Sequence, residues 1–364
     1  MIAAGNSAGA GARLLQIAVA ECPPVLITGG AGYIGSHAAL ALIDLGVRVV
    51  ILDDMSTGSE LLLPPDAEFV RGRAGDAALV RQVIADHRIG AIMHFAASIS
   101  VAESVAEPAA YYRNNLIETL ALAEVAVAAG IGALVFSSTA AVYAENDGRP
   151  LRESDPVGPI NPYGASKAMA ETLLRDVAAA SPHLMSLGIL RYFNVSGADP
   201  KGRSGQNSKH PHHLIEIATQ VVTGQRSHVT VFGNDYPTAD GTGVRDYVHV
   251  SDVASAHVLM LRACLASTGQ THLFNLGYGH GQSVLDVLGA LAQACDGRAV
   301  PFEYGPRRAG DPANLVADAS AAAALGWQPE HDDINRIVAH ALAWERRRLQ
   351  LLADAPAGLA RTTA

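Results

Sequence analysis

Eight residues, Thr28-Gly29-Gly30-Ala31-Gly32-Tyr33-Ile34-Gly35, leave the chain around them few ways to fold. They follow the apolar run Val25-Leu26-Ile27 and open a helical pattern from about Tyr33 to Leu45. Gly30, Gly32 and Gly35 fit G-x-G-x-x-G, and Gly29, Gly32 and Gly35 fit the related G-x-x-G-x-x-G. A strand that turns tightly into a helix needs glycines where the backbone bends and where a pyrophosphate comes close. The helix N-terminus then offers free N–H groups and a partial positive charge to the phosphates. The next apolar run, Val47 to Leu52, stops at Asp53-Asp54, and Asp53 lies 18 residues after Gly35. A carboxylate there accepts hydrogen bonds from a ribose 2′-hydroxyl and repels a 2′-phosphate, which favours NAD over NADP.

The alternation continues. Strands are expected at Ile89 to Phe95, Ile131 to Ser137 and Met185 to Leu190, with helices over Glu107 to Ala129 and Pro162 to Ala180. Short, almost continuous apolar strands between amphipathic helices predict an α/β fold, a doubly wound parallel Rossmann sheet with both faces covered. After Asn194 the texture changes to polar, glycine-rich loops at Ala198 to Gln206 and Asn234 to Gly243, and a smaller α/β substrate lobe is expected. The expected division is a disordered extension over 1–23 and an NAD-binding domain over 24–193, which 247–276 rejoins through a strand at Thr271 to Leu276. The lobe takes 194–246 and 277–345, and 346–364 is expected as a tail.

Composition narrows the partners. With 26 Lys and Arg against 35 Asp and Glu, the net charge of −9 argues against nucleic acid or an anionic membrane as partner. No apolar run approaches the ~18 residues of a membrane helix; Leu14 to Ala20 is too short. Cys22, Cys264 and Cys295 are odd in number and lack metal-type spacing, so a reducing cytoplasm is expected, with neither a disulfide framework nor a zinc site.

Tyr163 and Lys167 sit four residues apart at the start of a helix, and so on one face. An ammonium beside a phenol stabilises the phenolate and would suit Tyr163 as a base towards a sugar hydroxyl. Thr139 ends the strand before them, where ligands gather in an open α/β sheet, and its hydroxyl can hold the same substrate group.

Several separated blocks resemble the NAD-dependent epimerase branch of the extended short-chain dehydrogenases/reductases. They include the glycine turn, His94-Phe95-Ala96-Ala97, Ser137-Ser138-Thr139, Tyr163 with Lys167, and Leu190-Arg191-Tyr192-Phe193-Asn194. More specific are Gly233-Asn234-Asp235-Tyr236-Pro237-Thr238, Gly241-Thr242-Gly243-Val244-Arg245-Asp246-Tyr247 and Pro306-Arg307-Arg308-Ala309-Gly310-Asp311. The resemblance runs from about Pro24 to about Trp344. It implies Tyr163 as catalytic base, Lys167 as its electrostatic partner and Thr139 as the sugar-binding hydroxyl. NAD would be held by Gly29, Gly32, Tyr33, Ile34, Gly35, Asp53, Asp54, Phe95, Ala96, Asn114, Lys167 and Tyr192. Asn194, Arg245, Arg308 and Asp311 would bind the nucleotide diphosphate and its ribose, and Leu315 would line the sugar pocket. The guanidinium fork of arginine suits phosphate oxygens.

Three departures stand out. Arg73 occupies the place of an acidic residue that touches the adenine amine, with Asp76 three residues on as its substitute. Ile99 replaces a lysine found in some members. Leu315 stands where members strict for glucose and galactose hold a tyrosine, which leaves room for N-acetylhexosamine, pentose or uronate derivatives. The implied activity is interconversion of UDP-glucose and UDP-galactose through a transient 4-keto sugar, in galactose and nucleotide-sugar metabolism, by a cytoplasmic homodimer paired through helices 107–129 and 162–180. A 4,6-dehydratase needs an acid and a base beside the strand-end threonine, and Ala140-Ala141 supply neither. A non-catalytic NAD-sensing protein would share the fold, but Thr139, Tyr163 and Lys167 are all intact.

Overall fold

Residues 22–144, 148–308 and 311–354 are described by the computed structural model of this chain. The first six strands are β1 (Val25–Thr28), β2 (Val49–Asp53), β3 (Glu68–Arg71), β4 (Ala91–His94), β5 (Ala133–Thr139) and β6 (Ser186–Tyr192). The short strands β7 (Asn194–Ser196), β8 (Val229–Phe232), β9 (Val244–Arg245) and β10 (Tyr247–His249) follow, and then β11 (Thr271–Leu276). One seven-stranded sheet runs β11-β6-β5-β4-β1-β2-β3, with every pair parallel. Strand order reverses between β1 and β4, and at such a switch point the diverging connections open a crevice at the carboxyl ends of the strands.

Alternation along the strands builds two cores. Val25, Ile27, Val49, Ile51 and Met93 point to one face, where α1 (Tyr33–Asp44) contributes Ala38 and Leu42 and α8 (Val250–Ala266) contributes Val253, Met260 and Cys264. Leu26, Val50, Leu52, Ile92 and Leu134 point to the other, covered by α2 (Ala77–His87), α5 (Glu118–Ala128) and α6 (Pro162–Ala180). The near-continuous apolar character of the strands follows from this double burial. A third core joins α7 (Leu214–Val222), α9 (Val284–Gln293) and α11 (Ile334–Asp354) to β8. Around it lie β12 (Gln282–Ser283), which pairs with β9, β13 (Phe302–Gly305), which pairs with β8, and β14 (Asn314–Leu315), which also pairs with β9; α10 (Ser320–Leu325) follows. Within 247–276, α8 and β11 join the large sheet, whereas β10 pairs with β7 outside it.

Two expectations need correction. The helix expected over 107–129 is divided. After α3 (Val101–Ala106), Pro108 restarts the chain as α4 (Pro108–Tyr112), and a single π turn, Arg113–Ile117, precedes α5. That turn is pinned by side chains: Asn115 Nδ2 donates to the Ser98 carbonyl at 2.9 Å and to Ser166 Oγ at 3.0 Å. The expected tail begins too early, because α11 continues to Asp354. Arg348 Nη2 donates to Gln225 Oε1 at 3.0 Å, which ties the added turns to the lobe. The expectations for 1–21 and 355–364 lie outside the described residues.

The cores also hold neutral histidines. Burial lowers His94 to about 3, and His37 and His257 to about 4. Below the ordinary histidine pKa the unfolded chain takes up protons that these folded rings refuse, so stability falls as pH drops from about 6.5. Asp53, Asp246 and Glu216, raised by burial, oppose part of this by binding protons in the fold. The melting temperature is therefore expected to decline between pH 7 and pH 5, measured by calorimetry; a flat profile would show that the rings are charged in the fold.

Candidate active site

The glycine turn lies at the switch point. Gly29 has φ +74°, and a Cβ there would lie 2.5 Å from the Ala96 backbone nitrogen, directly after β4. A Cβ on Gly35 would lie 2.3 Å from the Gly29 carbonyl oxygen. Both positions thus exclude side chains, and the chain closes into a tight bend ahead of α1. No side chain caps α1, which leaves its first N–H groups for an anion. Tyr33 donates its hydroxyl to the Gly197 carbonyl at 2.7 Å and so ties the turn to the lobe. Ile34 packs on the first core.

Asp53 ends β2 and accepts from the Ala31 N–H at 3.0 Å and the Met55 N–H at 2.8 Å. Its carboxylate braces the glycine turn and keeps further lone pairs for a ribose. Asp54 accepts from the Ser56 N–H at 2.8 Å and lies 3.6 Å from Arg73. Arg73 also bonds Glu118 Oε1 through Nε at 2.8 Å and reaches Asn114 Oδ1 at 3.4 Å. Asp76, the residue expected to stand in for the missing acidic residue, lies at the start of α2. It caps α2, accepting from Ala78 and Leu79 N–H at 3.1 Å each. Asn114 further donates to Ser98 Oγ at 3.2 Å. The Phe95 ring packs tilted against His257, ring centroids 4.7 Å apart.

Thr139, Tyr163, Lys167 and Tyr192 converge at the ends of β5 and β6. Asn161 caps α6 by accepting the Gly164 N–H at 2.9 Å, and Pro162 presets its first turn, so Tyr163 and Lys167 fall on consecutive turns of one face. Thr139 and Tyr192 are register partners across β5 and β6. Burial raises the Tyr163 phenol above its ordinary value, and a hydrogen bond from Thr139 pulls it back. The expected depression of Tyr163 by Lys167 is absent in this arrangement. Lys167 Nζ donates instead to the Ser137 carbonyl at 2.9 Å and lies 4.7 Å from the centre of the Phe136 ring. Burial lowers Lys167 to about 7, with Glu171 opposing. Tyr192 shares a short hydrogen bond with Ser137, and burial raises its phenol.

The second group lies on the lobe. Asn194 opens β7 and donates its backbone N–H to the Asp246 carbonyl at 2.9 Å. Arg245 Nη2 lies 3.5 Å from Asp311, and Leu315 is its register partner on β14. Arg308 lies 3.9 Å over the Phe232 ring, and Arg307 lies 4.1 Å over Tyr236. Leu315 packs on the cluster of Ala140, Val142 and Phe193, which joins the lobe to the strand ends. Ile99, in the place of the family lysine, is half exposed.

Sequence reasoning missed the buried pair behind these groups. Arg191 and Glu171 are each about 3% exposed, and Arg191 Nε donates to Glu171 Oε1 at 2.9 Å. Ser138 donates to the same carboxylate, so the pair locks α6 to the ends of β5 and β6. An arginine in an apolar strand, with a carboxylate four residues after Lys167, was the available signal.

A doubly wound sheet with a glycine turn at its switch point and a Thr-Tyr-Lys group at its strand ends defines a dinucleotide-dependent enzyme of the short-chain dehydrogenase/reductase class. Residues 25–277 match the model of the NAD dependent epimerase/dehydratase family, and the chain belongs to that family. A curated relative, the UDP-glucose 4-epimerase of Azospirillum brasilense, is 50% identical over 344 residues, covering 94% of this chain and 98% of the relative. Among solved structures, a UDP-glucose-4-epimerase from Stenotrophomonas maltophila, with bound NAD and formylated UDP-arabinopyranose, superposes with TM-score 0.85 at 40% identity, covering 90% of this chain and 99% of that one. The enzyme from Bifidobacterium longum, in complex with NAD+ and UDP, gives 0.83 at 39% identity, with the same coverage.

Proposed function

We propose that this chain is an NAD-dependent isomerase that interconverts UDP-glucose and UDP-galactose through a 4-keto sugar. The observation that carries the reading is the convergence of Thr139, Tyr163 and Lys167 at the strand ends, on the crevice that the glycine turn also borders. The cradle fits NAD: Gly29 and Gly35 leave no room for side chains, α1 presents unpaired N–H groups, and Asp53 stands where a 2′-hydroxyl is accepted. Gly29, Gly32, Tyr33, Ile34, Gly35, Asp53, Asp54, Phe95, Ala96 and Asn114 would hold the cofactor, with Lys167 and Tyr192 at its reactive end. When bound, NAD supplies a reversible hydride acceptor and a positive charge.

Thr139 orients the sugar 4-hydroxyl, and Tyr163 removes its proton as the C4 hydride departs. Tyr163 gives the proton back when the hydride returns to the opposite face of the turned sugar. Its phenol has to be shifted down from the burial-raised value of the free chain; the Thr139 bond contributes, as does Lys167 once its ammonium is released from Ser137. Asn194, Arg245, Arg308 and Asp311 grip the nucleotide, while the hexose meets few charged anchors and can rotate. Leu315, half-buried at this pocket, supports a second reading, 4-epimerisation of a bulkier or smaller UDP-sugar. Incubation with a panel of UDP-hexoses, UDP-pentoses, UDP-uronates and UDP-N-acetylhexosamines, with products resolved by chromatography, tests both; no 4-epimer from any of them would refute the activity.

Asp53→Ser should lower the preference for NAD over NADP by at least about tenfold, because the charge that repels a 2′-phosphate is gone. Fluorescence titration of both dinucleotides reads this out, and an unchanged ratio would remove Asp53 from the ribose site.

A homodimer through the outer face of α6 completes the reading. Ile117, Val157, Ile160 and Met169 are each about half exposed there, and Leu116 and Leu173 line an open apolar groove beside them. Met169→Asp should convert a dimer into a monomer in light scattering; a wild-type monomer would refute the interface. No described helix is long and apolar enough to cross a membrane, and Cys22, Cys264 and Cys295 are free thiols.

A further inference from the structure

Behind the glycine turn, three histidines far apart in sequence come together. His249 ends β10 and is fully buried, His331 precedes α11, and His340 lies on α11. One nitrogen from each lies within 4.8 Å of the others, and this is the one such trio of metal-ligating side chains among the described residues. Their ring centroids are 4.3, 5.2 and 5.6 Å apart. The Nδ1 atom of His331 is buried and has no hydrogen-bond partner. An unused buried lone pair is costly in a fold and asks for an occupant.

The backbone that carries two of these rings, His249 and His331, is held by buried hydrogen bonds. Asp252 accepts the His331 N–H at 2.9 Å and the Glu330 N–H at 3.0 Å. Tyr278 donates its hydroxyl to the same carboxylate at 2.6 Å and accepts the His249 N–H at 2.9 Å. Gly197 packs closely on the His249 ring, where a Cβ would lie 2.8 Å from Nε2 and no larger side chain fits. These contacts fix the backbone positions from which the His249 and His331 rings project.

We propose that His249, His331 and His340 bind one borderline divalent transition ion, Zn²⁺ foremost, which staples α11 and the segment before it to the end of β10. Imidazole nitrogens suit such ions, whereas Mg²⁺ and Ca²⁺ take oxygen ligands. Zinc–nitrogen bonds of about 2.0–2.1 Å place tetrahedral ligands roughly 3.4 Å apart, so the widest nitrogen pair closes by more than an ångström. The partly exposed rings of His331 and His340 supply that movement. Without the ion, His249 Nδ1 accepts the Ser251 N–H at 3.1 Å, so Nε2 carries the proton and donates to His340 Nδ1 at 3.0 Å. With the ion, that proton moves through solvent to Nδ1, the bond from Ser251 is released, and the metal takes the place the proton held. Water fills the fourth position.

The test uses the full chain, stripped with chelator and titrated with Co²⁺ by visible absorption and with Zn²⁺ by calorimetry and thermal melting. One ion per chain, tetrahedral-type cobalt absorption and a melting temperature raised by several degrees are expected. His331→Ala and His340→Ala should each weaken binding at least about a hundredfold while circular dichroism and NAD content stay unchanged. The exposed pair His210 and His212 serves as control, and H210A/H212A should bind as wild type does. No binding at millimolar ion, binding that survives both single variants, or binding lost in the control would overturn the site.

Discussion

Tyr163→Phe is expected to lower epimerase turnover by about 10²–10⁴-fold, the usual span for a lost general acid–base group. The phenyl ring keeps the packing of α6 against the strand ends, so the fold and NAD content should persist. Loss of the hydroxyl removes the proton acceptor that stands near Thr139. Turnover should fall without a matching rise in KM, because the missing interaction belongs to the transition state. Stopped-time product assays and NAD quantification on denatured protein check this. Wild-type turnover in the variant would remove Tyr163 from the chemistry.

The second large effect concerns the buried ion pair. Glu171→Leu leaves the Arg191 guanidinium inside the protein without its carboxylate, 4.8 Å over the Tyr143 ring. Breaking one side of such a pair costs about 3–5 kcal/mol. The melting temperature should fall accordingly, and activity with it, because the Ser138–Glu171–Arg191 contacts set where Tyr163 stands relative to Thr139. The double variant Glu171→Leu with Arg191→Met removes the orphaned charge and should regain most of the lost stability. Denaturant titration of the two variants decides; a single variant as stable as wild type would mean that the pair carries no net weight.

The sheet was legible in the sequence wherever local pattern and burial agree. Val25-Leu26-Ile27 and Ile131 to Ser137 read as strands because both of their faces are covered. The span 162–180 was found to the residue, since Asn161 and Pro162 mark its start and the apolar stripe sustains it. The span 107–129 misled because its apolar positions continue through the break, while the π turn depends on Asn115 reaching Ser98 and Ser166, contacts that only the tertiary fold creates. The end of α11 was missed for a similar reason: Glu345 and Arg348 look like a solvated face until Gln225 is placed beside them.

The site was legible by residue type and less so by bonding. Thr139, Tyr163 and Lys167 follow from spacing and resemblance, yet the first partner of Lys167 is a backbone carbonyl, which no side-chain pattern announces. Arg245, Asp311 and Leu315 gather through the β9–β14 pairing, from segments separated by two helices, α8 and α9, and the strands around them. The cysteine count directed attention away from metals, and the three histidines carry no local spacing that would have reversed that expectation.

The hydride shuttle is tested most directly with UDP-glucose carrying deuterium at C4. If Tyr163 moves only the hydroxyl proton while the hydride leaves and returns within one closed site, the UDP-galactose formed in ordinary water retains its C4 deuterium in full. Deuterium lost to solvent, or a C4 hydrogen drawn from it, would contradict that mechanism.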